Sequence, residues 1–470
     1  MLGTLNLDAL PFISDDVGGQ RMDTFVMIYD QRGLTDGPLR FKQVLTRIKT
    51  EVRHYPQFRQ LFRPSVLPLG AQCWVDDEAF DVEFHVRHIA LPKPGDWRQF
   101  CIQVARLHSR PLDQTRPLWE INVVEGLDNI PWLGEGHFAL VCKVHRGLME
   151  STHEQAQDLI WTLHDEVEFA VDSAPASKVN VALPFADLLR DGCDRLLRPL
   201  GGPLELALGA ARSVSSRLMP AVGFYTHALL GKGSMPFTRF NTDISSFRVW
   251  ESCYLSAGTL ARLQQYYPGV SESDLILAQI AGALRLYLND KTELGGRDLW
   301  ALAPVQPADA DAQTLTFSVV NLATGVEDPA ERLLSISRWR QQNPPVEAMI
   351  VEAPLRSPLR RMTHTNDLLQ RIQGTQSGRI TANTALITLP DERHSLSLLG
   401  APLVYLSGVP EVSNGLGLVH LASRYGDHLT LTVTSCREML PDPAFYRECL
   451  YQSLQEMLGT ASQSPEELSL

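Results

Sequence analysis

Apolar residues follow two rhythms along the chain, and the switches between them divide it into elements. Thr24-Phe-Val-Met-Ile-Tyr29 is rich in β-forming side chains and reads as a strand. Phe41, Val44, Leu45 and Ile48 recur at three- and four-residue spacing, which predicts a helix from Pro38 to Val52. Phe80 to Leu91 alternates apolar and polar side chains before a Pro/Gly stop at Pro92 to Gly95, which predicts a strand. Trp97 to Ser109 reads as a helix, and Leu118 to Val124 and Phe138 to Val144 as strands. The last of these runs into a polar turn, after which Ala156, Leu159, Ile160 and Leu163 mark a further helix. A charged turn between an apolar strand and an amphipathic helix is a common position for functional side chains.

The pattern weakens at Asp172 to Asn180, a linker of Ala, Ser, Pro and Lys. Two apolar helices follow, one carrying Phe185, Leu188, Leu189, Cys193, Leu196 and Leu197, the other running from Leu204 to Leu218. Arg190, Arg195, Arg198, Arg212 and Arg217 lie in or beside them, which suits packing between lobes with solvated arginines or contact with an anionic membrane. In the second half, Ser273 to Tyr287 reads as a buried helix with Ser273 as N-cap. Leu299 to Val305 reads as a strand, and Asp328 to Leu333 opens a helix with Pro329 in its first turn. Asn414 to His420 and Leu429 to Thr434 form a hairpin pattern turning at Tyr425-Gly-Asp427, and Pro441 to Leu458 is a closing helix. Mixed strands and helices indicate an α/β or α+β protein. The divisions are an N-terminal lobe over 1–171, a helical linker over 172–239 and a C-terminal lobe over 240–470.

Composition narrows the chemistry. A net charge of −12 supplies no broad cationic footprint and argues against a nucleic-acid binder. The seven cysteines have no CxxC spacing, which indicates neither a zinc site nor a redox motif and suits a reducing compartment. No metal ligand set stands out. The chain has no run of about 18 apolar residues, so a spanning helix is not expected. The expected location is the cytoplasm, with peripheral contact to a membrane or lipid droplet left open.

Two short segments carry the chemistry. Pro111-Leu-Asp-Gln-Thr-Arg-Pro-Leu-Trp119 contains Leu112, Asp113, Arg116, Pro117 and Leu118 in a PLDxxRPLW pattern. Lys143-Val-His-Arg-Gly-Leu-Met-Glu-Ser151 closes the strand that follows. With Phe80-Asp-Val-Glu-Phe-His-Val-Arg-His88 and Phe240-Asn-Thr-Asp-Ile244, these segments resemble the bacterial wax ester synthase/diacylglycerol acyltransferase family. That family carries a KVHHxxxDG-type motif; here Arg146, Glu150 and Ser151 stand where its second His, its Asp and its Gly fall. Ser273-Asp274 replaces an Asn-Asp pair, and Thr388, Asp391 and Cys436 replace further family residues. The resemblance implies two chloramphenicol acetyltransferase-like lobes, each a mixed sheet with flanking helices, joined by the helical linker.

The resemblance further implies acyl transfer from acyl-CoA, as co-substrate rather than cofactor, to a long-chain alcohol or diacylglycerol. In such enzymes the second His takes the alcohol's proton, and imidazole suits this because it titrates near neutral pH. Arg146 is a poor replacement, since a guanidinium stays protonated and offers no acceptor. Glu150, four residues on, is a candidate partner for Arg146 in a structural latch. His145 is the alternative base, although strand alternation points it to the face opposite Arg146. A Glu150, Ser151 and His153 trio is set aside, because no GxSxG elbow accompanies it. Asp113 and Arg116 read as a salt-bridged strand entry, Trp119 as core, and Ser273 and Asp274 as channel residues. Three readings stay open: an acyltransferase with weak, altered or lost activity, a non-catalytic acyl-lipid-binding or regulatory paralogue, and an acyltransferase for a different acceptor or donor.

Overall fold

The computed structural model describes residues 22–35, 37–63, 73–146, 148, 159–166, 235–305, 314–343, 347–350, 361–363, 365–366, 368–369, 382–390 and 395–462. The expected linker helices lie outside these residues. The chain is mixed α/β and divides into two compact units. Neither is continuous in sequence. Asp96–Ser109 belongs with the second unit although it lies in the N-terminal half, and Ser395–Leu403 belongs with the first. The linear pattern gave no sign of this exchange.

The first unit contains β1 (Met22–Asp30), α1 (Phe41–His54), β2 (Gln60–Arg63), β3 (Cys73–Asp76), α2 (Val82–His85) and β4 (Val86–Ala90). After α3 (Trp97–Ser109), which belongs to the second unit, come β5 (Trp119–Glu125) and β6 (His137–His145). A six-stranded sheet runs in the order Ser397–Leu398, Ala401–Val409, β1, β6, β5, β4. β6 is antiparallel to β1 and β5, and all nine of its residues are buried. An interior strand loses both faces to packing, so its apolar run needs no strict alternation. α1 turns Val44, Ile48 and Val52 inward, as its spacing predicts.

The predicted strand from Phe80 is corrected. Its first half is the helical turn α2, because the Asp81 carboxylate accepts the Glu83 N–H at 3.0 Å and caps the turn. Only Val86–Ala90 enters the sheet. At its exit Gly95 has φ +74°, and a Cβ there would lie 2.0 Å from the Gly126 carbonyl oxygen, so the close approach requires glycine.

The second unit has a seven-stranded sheet in the order Glu347–Ile350, Thr314–Asn321, Trp300–Val305, Thr384–Thr388, Leu418–Tyr425, His428–Cys436, Arg248–Ser256. The predicted hairpin is present, with Tyr425 paired to His428. The buried helix spans Glu272–Asp290, but its N-cap is Ser271 rather than Ser273. The Ser271 hydroxyl accepts the Asp274 N–H, and the Asp274 carboxylate accepts the Ser271 N–H, closing a capping box. Pro329–Gln342 starts as predicted, with the Asp328 carboxylate accepting the Glu331 N–H at 2.7 Å. α3 is held in this unit by Trp97, whose indole N–H donates to Glu251 at 2.6 Å. Burial raises the Glu251 carboxyl above its ordinary range, while Arg447, 3.6 Å away, opposes the rise.

His420 marks the centre of the second core. Thr384 Oγ1 donates to the Leu418 carbonyl at 2.9 Å, so it accepts from His420 Nδ1 at 3.0 Å. Nε2 is then left to accept the Tyr446 hydroxyl at 2.9 Å. Both ring nitrogens are satisfied by a neutral imidazole, and burial lowers its pKa to about 3. The unfolded chain binds a proton here near pH 6.5 and the folded chain does not until about pH 3. Stability from this residue is therefore complete above pH 6.5 and falls by about 1.4 kcal/mol per pH unit as the solution is acidified toward pH 3. Denaturant titrations from pH 7 to pH 4 should show this slope, and His420→Gln should make the dependence shallower by about one proton. An unchanged slope would show that His420 is not held neutral.

Candidate active site

The two signature segments meet in the first unit. β5 and β6 pair antiparallel with Trp119 opposite Val144 and Glu120 opposite Lys143, and the His145 N–H donates to the Leu118 carbonyl at 3.0 Å. The end of RPLW is thus fastened to the end of KVH by backbone hydrogen bonds. Trp119 is buried as expected. Its indole N–H donates to the Phe58 carbonyl at 2.7 Å, and its ring stacks on His85 at 4.5 Å. His85 Nδ1 meets the Trp119 carbonyl at 2.9 Å, and burial lowers the pKa of the ring. Leu112 and Leu118 pack with Met22 in a small apolar cluster, and Pro117 accepts the Trp119 N–H through its carbonyl at 2.9 Å.

The expected Asp113–Arg116 salt bridge is replaced by two separate interactions. Asp113 accepts the Thr115 N–H at 2.9 Å and hydroxyl at 2.7 Å, and these bonds hold its carboxyl below the usual range. Arg116 turns away to the Ala79 carbonyl at 3.2 Å and to Asp77 at 3.5 Å. A local turn satisfies Asp113 over a two-residue span, so the longer guanidinium reaches a different acid. Ser273 and Asp274 lie in the second unit, both buried. Asp274 there accepts Arg340 at 2.6 Å and the Ser337 hydroxyl at 3.1 Å, tying two helices together.

β6 ends at His145, and the backbone turns helical at Arg146. Arg146 is fully buried, with its Nε 3.3 Å from Asp23 Oδ1, and the Asp23 side chain is fully buried as well. Asp23 lies opposite Val144 near the end of β6, which brings its carboxylate close to the point where Arg146 leaves the strand. The predicted partner Glu150 and its neighbour Ser151 lie outside the described residues, so the acid brought to Arg146 here is Asp23. Sequence reading passed over Asp23, although one signal was available. It is a carboxylate in a strand otherwise apolar enough to be core, and a buried carboxylate calls for a cation or several donors.

Lys143 is the second residue passed over as a site member. Its ammonium is buried and donates to the Arg110 carbonyl, so the strand before the motif turn grips the start of the PLDxxRPLW segment. Burial lowers its pKa to about 8, against the favourable field of Glu120. Glu120 accepts Asn122 at 2.8 Å and lies 3.7 Å from Arg87. Strand alternation separates Lys143 and Glu120 from the Asp23–Arg146 pair by the thickness of the sheet. At position 146 the arrangement offers charge neutralisation by a permanent cation, with no proton-accepting nitrogen.

Residues 17–265 match the wax ester synthase/diacylglycerol acyltransferase catalytic domain, and residues 314–458 match the WS/DGAT C-terminal domain. The chain is 30% identical over 314 residues to a putative diacylglycerol O-acyltransferase of Mycobacterium bovis, and the match spans 64% of each chain, just under two thirds. A putative diacylglycerol O-acyltransferase of Mycobacterium tuberculosis is 30% identical over 399 residues, 82% of this chain and 83% of that relative. The solved wax ester synthase/diacylglycerol acyltransferase from Marinobacter aquaeolei has the same fold, with a TM-score of 0.65 at 21% identity, covering 97% of this chain and 99% of that one.

Removing one member of a buried ion pair leaves the other charged and unsolvated, which costs about 3–5 kcal/mol. Arg146→Gln should lower the unfolding free energy by about that much, read from urea transitions. Arg146→Lys, which keeps the cation, should lose less. A neutral effect of Arg146→Gln would mean that the pair does not hold the turn.

Proposed function

The chain belongs to the wax ester synthase/diacylglycerol acyltransferase family, and from that membership we propose that it binds acyl-CoA and a long-chain alcohol or diacylglycerol but transfers the acyl group weakly or not at all. The single observation that carries this reading is the buried ion pair between Arg146 and Asp23, Arg146 being the residue that the sequence resemblance sets in the place of the family's second His.

The reaction makes the demand explicit. The acceptor hydroxyl must surrender its proton as its oxygen bonds to the thioester carbonyl carbon. The tetrahedral adduct then breaks its C–S bond, and the departing thiolate takes up a proton. A positioned base contributes about 10²–10⁴ in rate to such a step. Arg146 is protonated throughout the accessible pH range and has no lone pair to offer. Its partner Asp23 is an acceptor, but the carboxylate is committed to a cation inside the core.

His145 is the remaining imidazole in the motif. It is buried and its backbone is tied to Leu118, which supports a role in holding the strand end. Among the described residues no helix is long and apolar enough to cross a membrane, so lipid substrates would be met at a surface or in solution.

Purified protein supplied with palmitoyl-CoA and hexadecanol or a diacylglycerol should form ester about 10²–10⁴ times more slowly than a relative with an intact motif. Binding of palmitoyl-CoA, followed calorimetrically, should persist. The combined change Arg146→His, Glu150→Asp and Ser151→Gly should raise turnover. Turnover by the unaltered chain at the rate of an intact relative, insensitive to His145→Ala, would sink the proposal. Binding with no turnover in any variant would favour the non-catalytic reading over a weakened enzyme.

A further inference from the structure

We propose that Asp23 is the second half of the altered site, a positioning residue whose buried carboxylate holds the Arg146 guanidinium and would favour the protonated form of an imidazole placed at position 146. This rests on the reading just given, because it concerns the same turn.

The geometry is specific. Asp23 is fixed by β1, opposite Val144 and one step from the strand end that launches residue 146. Its Oδ1 lies 3.3 Å from Arg146 Nε, and both side chains are fully buried. Arginine Nε stands three bonds beyond Cβ, the same count as the outer nitrogen of a histidine ring. An imidazole installed by Arg146→His therefore brings that nitrogen within reach of Asp23. Burial alone disfavours the protonated ring, as at His85 and His420, but an opposite charge at such range favours it, and here the Asp23 carboxylate supplies that charge. The nitrogen that should receive the hydroxyl proton is then already occupied.

On β6 itself the neighbour is His145, and Lys143 lies on the opposite face with Glu120 of β5 across from it. Glu150 lies outside the described residues. Asp23 and residue 146 thus act as a unit, so the rebuilt motif gains turnover chiefly at pH values above the raised pKa of its imidazole.

The test follows the introduced imidazole by NMR in Arg146→His, with the unaltered protein as the difference reference, and repeats it with Asp23→Asn. With Asp23 present the ring should titrate at least one pH unit above the ordinary value of about 6.5. Asp23→Asn should lower its protonated-to-neutral ratio at fixed pH at least tenfold. The pH–rate profile of the rebuilt-motif protein should move to lower pH by the same amount. Identical titrations in the two backgrounds would overturn the proposal. If Asp23→Asn does not fold, Arg146→His alone decides: a pKa at or below 6.5 overturns it, and a raised pKa supports it. A shifted titration in a rebuilt protein inactive at every pH supports the role of Asp23 and overturns the idea that the motif is the functional defect.

Discussion

A buried carboxylate on β1 meets a buried guanidinium just past the end of β6, and the way the chain leaves the sheet there is tied to that meeting. β6 is the inner strand between β1 and β5, so its end is fixed on both sides by backbone hydrogen bonds. What remains to be fixed is the direction of the first residue past the strand. A long cationic side chain held by an acid from the neighbouring strand does this without water. The arrangement has a physical cost, since removing either charge takes a counter-charge away from the other inside the core.

Around this pair the first unit is built from cross-links between segments far apart in sequence. Trp119 reaches Phe58, His85 reaches Trp119, and Lys143 reaches Arg110. In each case a polar group of one segment satisfies a backbone carbonyl of another, as a buried donor must. The PLDxxRPLW segment thereby acts as a scaffold between the helical turn α2 and the motif strand. Its charged members serve local geometry: Asp113 shapes a turn, and Arg116 anchors to the loop around Asp77 and Ala79.

The second unit combines a neutral network with ion pairs of its own. His420 is held uncharged between a threonine and a tyrosine, and Asp274 both caps its own helix and receives Arg340. Glu251, buried against Trp97, keeps α3 in this unit although the chain on either side of that helix belongs to the other. Crossing from one unit to the other within a few residues requires abrupt exits, and Gly95 with its positive φ supplies one of them.

By itself the sequence determined the alternation of elements, the mixed α/β class and the family. These are local properties: periodicity, turn residues and the identity of side chains at fixed spacing. It also determined that Arg146 cannot take a proton, because that follows from the guanidinium alone. Only the tertiary structure decided what Arg146 does instead. Asp23 and Arg146 are separated by 123 positions, and no rhythm in the chain connects them. The same holds for α3 leaving its neighbours for the second unit, and for Arg116 passing over Asp113 to reach Asp77. Partners of buried charges are set by strand register and packing, which depend on the whole sheet, so the chain states the need for a counter-charge and the fold supplies it.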